Sequence, residues 1–309
     1  MKFIISHSIR LFLFLLSIAF CRVGHAQDIE PRRWSSLPLG TQVIGAGYAH
    51  SFGTVTFDPL LQADDVTVSV NTFVVSYVKP FKLGTKLARL DVTLPYNLMR
   101  FEGSLSGAPA SVERNGFGDS RIRVSVNLIG PPPSNAQTLG KYLKENPKNT
   151  TFGVSIAATL PTGQYFEDKL INIGQNRFII RPQFGMVHNW NNWSYELTGS
   201  LFIFSNNNNF FGGKTKKQDP VFALQTHLIK RFNSKIWASV SASYGIGGES
   251  IVNGVSNADL RTNFLSSAAF GFKLTKFQSC KIAYLNSVTL KDLGSNTHSF
   301  IIGWSHIIL

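Results

Sequence analysis

Apolar and polar residues alternate one by one along Ala88–Leu98, which reads ARLDVTLPYNL. One parity carries only apolar or aromatic side chains, while the other carries Arg89, Asp91, Thr93 and Asn97. A period of two is typical of a β-strand, because successive side chains point to opposite faces of a sheet. We therefore expect a strand with one face against an apolar medium and the other against a polar interior.

The same period returns along the whole chain and predicts an all-β protein. In Arg121–Leu128, for example, apolar residues alternate with Arg121, Arg123, Ser125 and Asn127. No window of comparable length shows a convincing helical period. The twelve predicted strands are Thr41–Phe52, Val66–Lys79, Lys86–Phe101, Gly118–Ile129, Thr151–Leu160, Arg177–His188, Trp193–Phe204, Val221–Arg231, Ile236–Tyr244, Arg261–Leu274, Lys281–Leu290 and His298–Leu309.

Long loops and tight turns alternate between these strands, which predicts an even strand number with both termini on the periplasmic side. One long connection at residues 130–149 breaks the alternation and opens with three prolines. We expect it to form a periplasmic excursion with a helical turn around Lys141–Lys144. The six predicted loops are Gly53–Asp65, Glu102–Gly116, Pro161–Asn176, Ser205–Pro220, Gly245–Leu260 and Lys291–Thr297.

The strand lengths and the two-faced pattern together predict a transmembrane barrel. A tilted strand of roughly 9–11 residues crosses a bilayer, and an open sheet edge in hydrocarbon leaves backbone groups unsatisfied. The fold class that follows is a transmembrane up-and-down antiparallel β-barrel of about 12 strands. Pro95 and Pro182 fall inside predicted strands and remove ladder donors, so they predict bulges or strand ends near a rim.

The N-terminus has the features of a secretory signal peptide. Lys2 and Arg10 precede the apolar run Leu11–Phe20, and Gly24-His25-Ala26 offers small residues at a cleavage site. We therefore predict a signal peptide at residues 1–26, a barrel domain at residues 27–309 and location in the bacterial outer membrane.

The charge balance narrows the set of partners. Cleavage after Ala26 removes three basic residues and no acid, so the formal net charge falls from +13 to +10. Charged residues make up only 15% of the chain, below the roughly 25% of soluble proteins. With no basic stretch interleaved with stacking aromatics, nucleic acid is not an expected partner. The expected partners are outer-membrane lipid, lipopolysaccharide, a small-molecule solute and the barrel-assembly machinery.

Several short motifs occur in order along the mature chain: Asp28–Arg33 with Leu37–Gly40, Gly116–Asp119, Asn127–Pro132, Leu160–Tyr165, Lys169–Gly174 with Asn176-Arg177, and Phe210–Gly213 with Gln218–Pro220. In these motifs the chain resembles the outer-membrane transporter family named for a meta-pathway of phenol degradation. The resemblance implies a barrel and an uptake role for aromatic compounds, without fixing a substrate.

The inward rows of the predicted strands supply candidates for a substrate pathway. An interior rich in arginine favours anions and polarizable aromatic rings through charge and cation–π attraction. The same groups pair across strands and fill a narrow barrel, which is the alternative role. The candidates are Arg89, Asp91, Arg121, Arg123, Arg181, Gln183, Glu196 and His227.

A second candidate lies in the loop predicted at Ser205–Pro220. Four asparagines precede Phe210, Phe211, Gly212 and Gly213, which predicts either an inward-folded hydrophobic gate or an exposed structural loop.

The sequence offers little support for catalysis. Its histidines show no spacing that names a nucleophile partner, Cys280 is the single cysteine left after cleavage, and glycine-rich stretches lack the βαβ context of nucleotide loops. We predict no catalytic residue, no metal and no cofactor. Since no P-loop is present, we expect a passive transporter or channel for small, hydrophobic or aromatic compounds. The alternatives are a plugged barrel with a structural or surface-interaction role, and a barrel hydrolase.

Overall fold

The structure is a computed structural model that describes residues 29–57 and 62–308. The signal peptide predicted at residues 1–26 lies outside the described residues. The described strands are β1 (Gln42–Thr56), β2 (Ala63–Leu83), β3 (Lys86–Leu105), β4 (Ala108–Phe117), β5 (Arg121–Ile129), β6 (Lys148–Thr159), β7 (Ile179–Trp190), β8 (Trp193–Phe204), β9 (Asn207–Phe210), β10 (Lys214–Gln218), β11 (Val221–Arg231), β12 (Ile236–Gly247), β13 (Ser250–Val252), β14 (Val255–Ser256), β15 (Arg261–Lys273), β16 (Gln278–Thr289) and β17 (Gly294–Ile308), with helix α1 at Ala136–Glu145.

The long strands form one closed antiparallel ring. Its order is β2-β1-β17-β16-β15-β12-β11-β8-β7-β6-β5-β3, and pairing of β2 with β3 closes it. Because β4 and β5 pair with successive parts of β3, they occupy one position, and the barrel has twelve strand positions. This confirms the predicted fold class and strand number.

The barrel has two different ends. Its loop end carries the connections β1–β2, β3–β4, β6–β7, β8–β11, β12–β15 and β16–β17. Its turn end carries α1, the shorter turns and the entry of the chain into β1. The bounds predicted for β8 and β11 coincide with the observed ones. Five other strands run three or four residues further toward the loop end, namely β1, β2, β3, β12 and β17, whereas β6, β7 and β16 run two or three residues further toward the turn end.

The prediction of a loop at Glu102–Gly116 is wrong, since β3 and β4 form a hairpin there. Ser106 and Gly107 make its turn with φ values of 51° and 78°, and the ladder pairs Leu105 with Ala108 at its tip. The small and polar residues of this stretch fit a ladder that extends beyond the apolar band. The loops predicted at Ser205–Pro220 and Gly245–Leu260 likewise contain strands, because β9, β10, β13 and β14 form a separate small sheet.

Both strand prolines coincide with interruptions of the ladder. Pro95 lies between the part of β3 that pairs with β5 and the part that pairs with β4, and its carbonyl accepts from the N–H of Gly118 at 2.9 Å. At Pro182, the β7–β8 ladder pairs Ile180 with Ile203 and next pairs Gln183 with Ser200. This fits the absence of an N–H donor in proline.

The long connection between β5 and β6 contains α1, so a helix forms where a helical turn was expected. The side chain of Asn135 caps it by accepting from the N–H of Thr138 at 2.9 Å, and Leu139 is its buried residue. No helix in the described part of the chain is long and apolar enough to cross a membrane.

Large apolar side chains cover the outside of the wall, as the alternation predicts. Val75, Val240 and Ile156 are 63%, 60% and 61% exposed. Such a surface matches the outward apolar band of an outer-membrane barrel, where lipid rather than water contacts it. The polar residues next to two of these side chains, Ser155 and Ser239, are buried in the interior.

Candidate functional site

The eight residues predicted to line the lumen all lie on the inner face of the wall. Six are almost fully buried, and Arg89 and Arg121 are half-buried. The chain itself enters the barrel and contacts five of the eight, which are Arg89, Asp91, Arg121, Arg123 and Glu196. The six are Asp91, Arg123, Arg181, Gln183, Glu196 and His227.

The stretch that enters the barrel is residues 29–40, here called the plug segment. Arg33 and Trp34 are 6% and 2% exposed, and both contact inward residues of the wall. On its way to β1 the segment is tied to the β5–β6 connection, since the N–H of Leu39 donates to the carbonyl of Ser134 at 2.8 Å. This plug was not predicted from the sequence. The charged and aromatic run in front of the first strand was its only signal.

Trp34 lies in a notch formed by two glycines, here called the glycine notch. Gly153 and Gly185 face each other in the β6–β7 ladder. A Cβ on Gly153 would lie 2.6 Å from the Trp34 ring, and one on Gly185 would lie 2.1 Å from its Nε1. The indole N–H donates to Oγ1 of Thr198 at 2.8 Å. Any larger residue at either glycine would therefore displace the ring.

Glu196 holds the plug segment by its backbone. Its Oε2 accepts from the N–H of Arg32 at 2.8 Å and from the N–H of Arg33 at 3.2 Å. The Arg32 guanidinium lies 5.3 Å from the ring of Trp237 on the β12 wall. One buried carboxylate thus orients two consecutive peptide groups inside the barrel.

An ion-pair network connects the plug segment to the β3–β5 wall. Glu30 lies 3.0 Å from Arg121 and 2.8 Å from Arg123. Asp91 lies 2.9 Å from Arg89 and 3.6 Å from Arg123. Arg33 extends the network at 3.8 Å from each acid. The network brings together four of the predicted residues, which are Arg89, Asp91, Arg121 and Arg123. The plug segment supplies Glu30, the acid that contacts Arg121 and Arg123.

The other predicted residues join hydrogen bonds within the wall. Gln183 accepts from the hydroxyl of Ser155 at 3.0 Å and donates to that of Ser200 at 3.1 Å. His227 Nδ1 lies 2.8 Å from Oγ of Ser241. The Arg181 guanidinium lies 5.0 Å from the ring of Phe202. These contacts stiffen the wall and hold polar groups around the interior.

A chamber of about 510 Å³ remains between the plug segment and the loop end. Ile29, Glu30 and Pro31 bound it on the plug side, and Asn172, Ile173 and Gln175 bound it on the loop side. This volume is within the usual range of small-molecule sites. The chamber wall combines apolar residues with cations.

Asp119 fixes the β6–β7 loop over the chamber. Its Oδ1 accepts from the N–H of Gly163 at 2.9 Å, and its Oδ2 accepts from the N–H of Gln175 at 2.8 Å. Arg177 donates to the side chains of Gln175 and Gln218 and lies 4.5 Å from the ring of Phe204. The motifs predicted to be characteristic of the family thus hold the loop end together.

The predicted gate residues lie in the small loop sheet rather than in the chamber wall. Phe210 is 1% exposed and packs with Val252, while Phe211 contacts that pair from the side. Gly212 and Gly213 form a turn with φ values of 71° and 73°. A gating role for these four residues stays a prediction.

No cluster of three or more His, Cys, Asp or Glu residues that could hold a metal occurs in residues 29–57 and 62–308.

A closed barrel with a lipid-facing outer surface and a polar, charged interior is the architecture of bacterial outer-membrane barrels. The chain belongs to the family described as "Putative MetA-pathway of phenol degradation", whose profile matches residues 45–289. The resemblance predicted from the motifs is thereby confirmed, and the protein is placed in the bacterial outer membrane.

Solved structures share the fold at low sequence identity. An outer membrane channel from Pseudomonas putida F1 aligns with a TM-score of 0.75 and 17% identity over 91% of this chain and 100% of that one. The transport unit of the autotransporter AIDA-I from Escherichia coli aligns with a TM-score of 0.50 and 10% identity over 97% of each chain. No curated protein matches by sequence.

Proposed function

We propose that this protein is a passive channel that admits small hydrophobic or aromatic compounds across the outer membrane. The observation that carries the proposal is the chamber of about 510 Å³ inside the barrel, because an inert filled barrel needs no cavity of small-molecule size. The membership in a family named for phenol degradation supports a ring compound as the solute. The Pseudomonas putida F1 protein of similar fold is described as an outer membrane channel, and a passive channel is the expectation that follows for this chain.

The proposed orientation places the loop end outside the cell and both termini in the periplasm. A solute then enters from the loop end, occupies the chamber and leaves past the plug segment. Movement of the plug segment is part of the proposal, since Glu196 and Thr198 hold it inside the barrel. Lipopolysaccharide and the barrel-assembly machinery remain proposed partners, and transport rather than hydrolysis is the proposed activity.

A second candidate function is favoured by the plug itself. A barrel whose interior is bridged by a buried tryptophan and an ion-pair network could serve as a closed structural or surface-interaction protein. The two functions differ in whether any solute reaches the chamber.

The test uses residues 27–309 refolded into planar bilayers and, in parallel, a variant that lacks residues 29–40. Phenol and toluene are added as ring compounds and glycerol as a compact polar control. The channel proposal expects discrete currents in at least the shortened variant, with saturable block by the ring compounds and none by glycerol. Silent membranes, or currents that no ring compound blocks, overturn it and leave the closed structural barrel.

A further inference from the structure

Lys281 extends from the inner face of β16 into the chamber. Its two ladder neighbours are both glycines, Gly271 on β15 and Gly303 on β17. The lysine is half-buried, and among the described residues its ammonium forms no hydrogen bond or ion pair. Because a desolvated ammonium is stabilised by an anion, its position indicates a place for one.

The carboxylates that line the chamber are already bound elsewhere. Glu30 is the acid whose charge acts on Lys281, but both of its oxygens contact arginines, at 3.0 Å from Arg121 and 2.8 Å from Arg123. Asp119 accepts two backbone N–H groups with its two oxygens. The oxygens of both carboxylates thus have other partners than Lys281.

Among the described residues, five cationic side chains and two carboxylates line the chamber, and the cations are Arg121, Arg177, Arg181, Arg261 and Lys281. Arg261 resembles Lys281 in that it forms no hydrogen bond or ion pair with other described residues. Cations outside an ion-pair network attract a diffusing anion more strongly than paired ones, because a nearby carboxylate cancels their field.

The rest of the chamber wall is largely apolar. Val70, Met99, Phe202, Phe204 and Ile301 contribute to it, and guanidinium groups lie against the two phenylalanine rings. An inorganic anion would leave this surface without a partner, whereas an aromatic or aliphatic body would cover it.

We propose that the chamber binds small organic carboxylates with an aromatic or apolar body, and that Lys281 is the specificity-determining residue that pairs with the carboxylate. This rests on the proposed function, since it names the chemical class of the solute for the same chamber. A neutral ring compound fills the apolar wall but leaves the ammonium of Lys281 unpaired.

The test measures equilibrium binding of benzoate, benzamide and benzylammonium to refolded residues 27–309 in detergent by titration calorimetry. Benzamide has nearly the shape of benzoate without its charge. We expect benzoate to bind about tenfold more tightly than benzamide, as one charge-assisted hydrogen bond provides, and benzylammonium to bind most weakly. The preference should shrink as salt rises.

The variants separate Lys281 from the general charge of the barrel. Lys281→Met should abolish the preference for benzoate and leave benzamide binding unchanged, and Lys281→Arg should keep the preference. Lys276→Met is the matched control, because Lys276 is an exposed lysine in the adjoining β15–β16 turn and its loss should change neither affinity.

Two results overturn the inference. One is a wild-type protein that binds benzamide as tightly as benzoate, a result that needs no variant to fold. The other is a Lys281→Met protein that retains the benzoate preference. In either of these two results, the proposed function is retained as long as benzamide binds. If no ring compound binds at all, the proposed function is overturned as well.

Discussion

The indole ring of Trp34 occupies the space where a side chain on Gly185 would begin. A Cβ at Gly185 would lie 2.1 Å from Nε1 of Trp34, far inside van der Waals contact. Gly153, which faces Gly185 in the ladder, leaves the same space on the neighbouring strand. The wall of the barrel is therefore shaped for the plug segment, and this complementarity makes the plug testable by single substitutions.

Gly185→Ala should release the plug segment. The added methyl group forces Trp34 out of the glycine notch, so the interior should open at the turn end. We expect a larger and less stable single-channel current and a red-shifted tryptophan emission. Gly199→Ala on β8 is the matched control, because nothing lies within 4 Å of a Cβ there. Currents and emission like those of the wild type in Gly185→Ala would contradict a plug held by the notch.

Thr198→Val should weaken the plug by removing one acceptor. The variant keeps the side-chain shape but leaves the buried indole N–H of Trp34 without its hydrogen bond to Oγ1. An unsatisfied buried donor costs about 1–3 kcal/mol, which should appear in urea unfolding from detergent. A double-mutant cycle with Trp34→Phe isolates the pair, since Thr198→Val should then cost little. Equal costs in the two backgrounds would show that the bond contributes nothing.

The strands were predictable because their physical cause is local. Each strand separates lipid from a polar interior, so its sequence must alternate, and β8 and β11 were found to the residue. The inward position of Arg123 and Glu196 follows from the same parity, which is why the sequence identified them as interior residues.

The plug segment was not predictable from the same reasoning. Its partners are far away in sequence: Trp34 bonds to Thr198, and Glu30 to Arg123. Contacts between residues so far apart in sequence produce no local sequence pattern. For a segment without secondary structure, only the amino-acid composition can indicate that it packs inside the barrel. The β3–β4 hairpin was missed for a related reason. Beyond the lipid-facing apolar band, neither face of a strand has to be apolar, so apolar and polar residues no longer alternate there.

Glu30→Gln should destabilise the barrel more than an ordinary surface change. The substitution leaves Arg121 and Arg123 near each other without the acid that contacts both. Breaking a buried ion pair costs roughly 3–5 kcal/mol. Because the Glu30 side chain is 29% exposed, we expect the lower end of this range in urea unfolding. Glu145→Gln on α1, which breaks an exposed pair with Lys141, is the control and should cost at most about 1 kcal/mol.

The contribution of Glu30 should depend on pH in the acid range. Burial alone would raise its pKa, but the charges of Arg123, Arg33 and Arg181 outweigh this effect and lower the pKa below its usual range. A depressed folded pKa gives stability that is complete above the unfolded pKa of about 4.3 and is lost as the pH falls through the folded value.

The advantage of the wild type over Glu30→Gln should therefore stay constant down to about pH 5 and shrink below about pH 4. Urea unfolding of both proteins across this range measures it. An advantage that changes mainly between about pH 6 and pH 8 would assign the effect to another group.

Asp119→Ala should loosen the loop above the chamber. Both carboxylate oxygens of Asp119 accept loop N–H groups, one from Gly163 and one from Gln175, so the substitution removes two attachments at once. Proteolysis of a folded protein follows the population of its locally open state, and about 1.4 kcal/mol changes that population tenfold. Lys169 lies between the two attachment points with its side chain 50% exposed, which makes it the trypsin site to follow. We expect cleavage after Lys169 to be about tenfold faster in Asp119→Ala.

Asp292→Ala, at an exposed position in the β16–β17 loop, should leave the rate unchanged, and equal rates in all three proteins would show that Asp119 does not hold the loop.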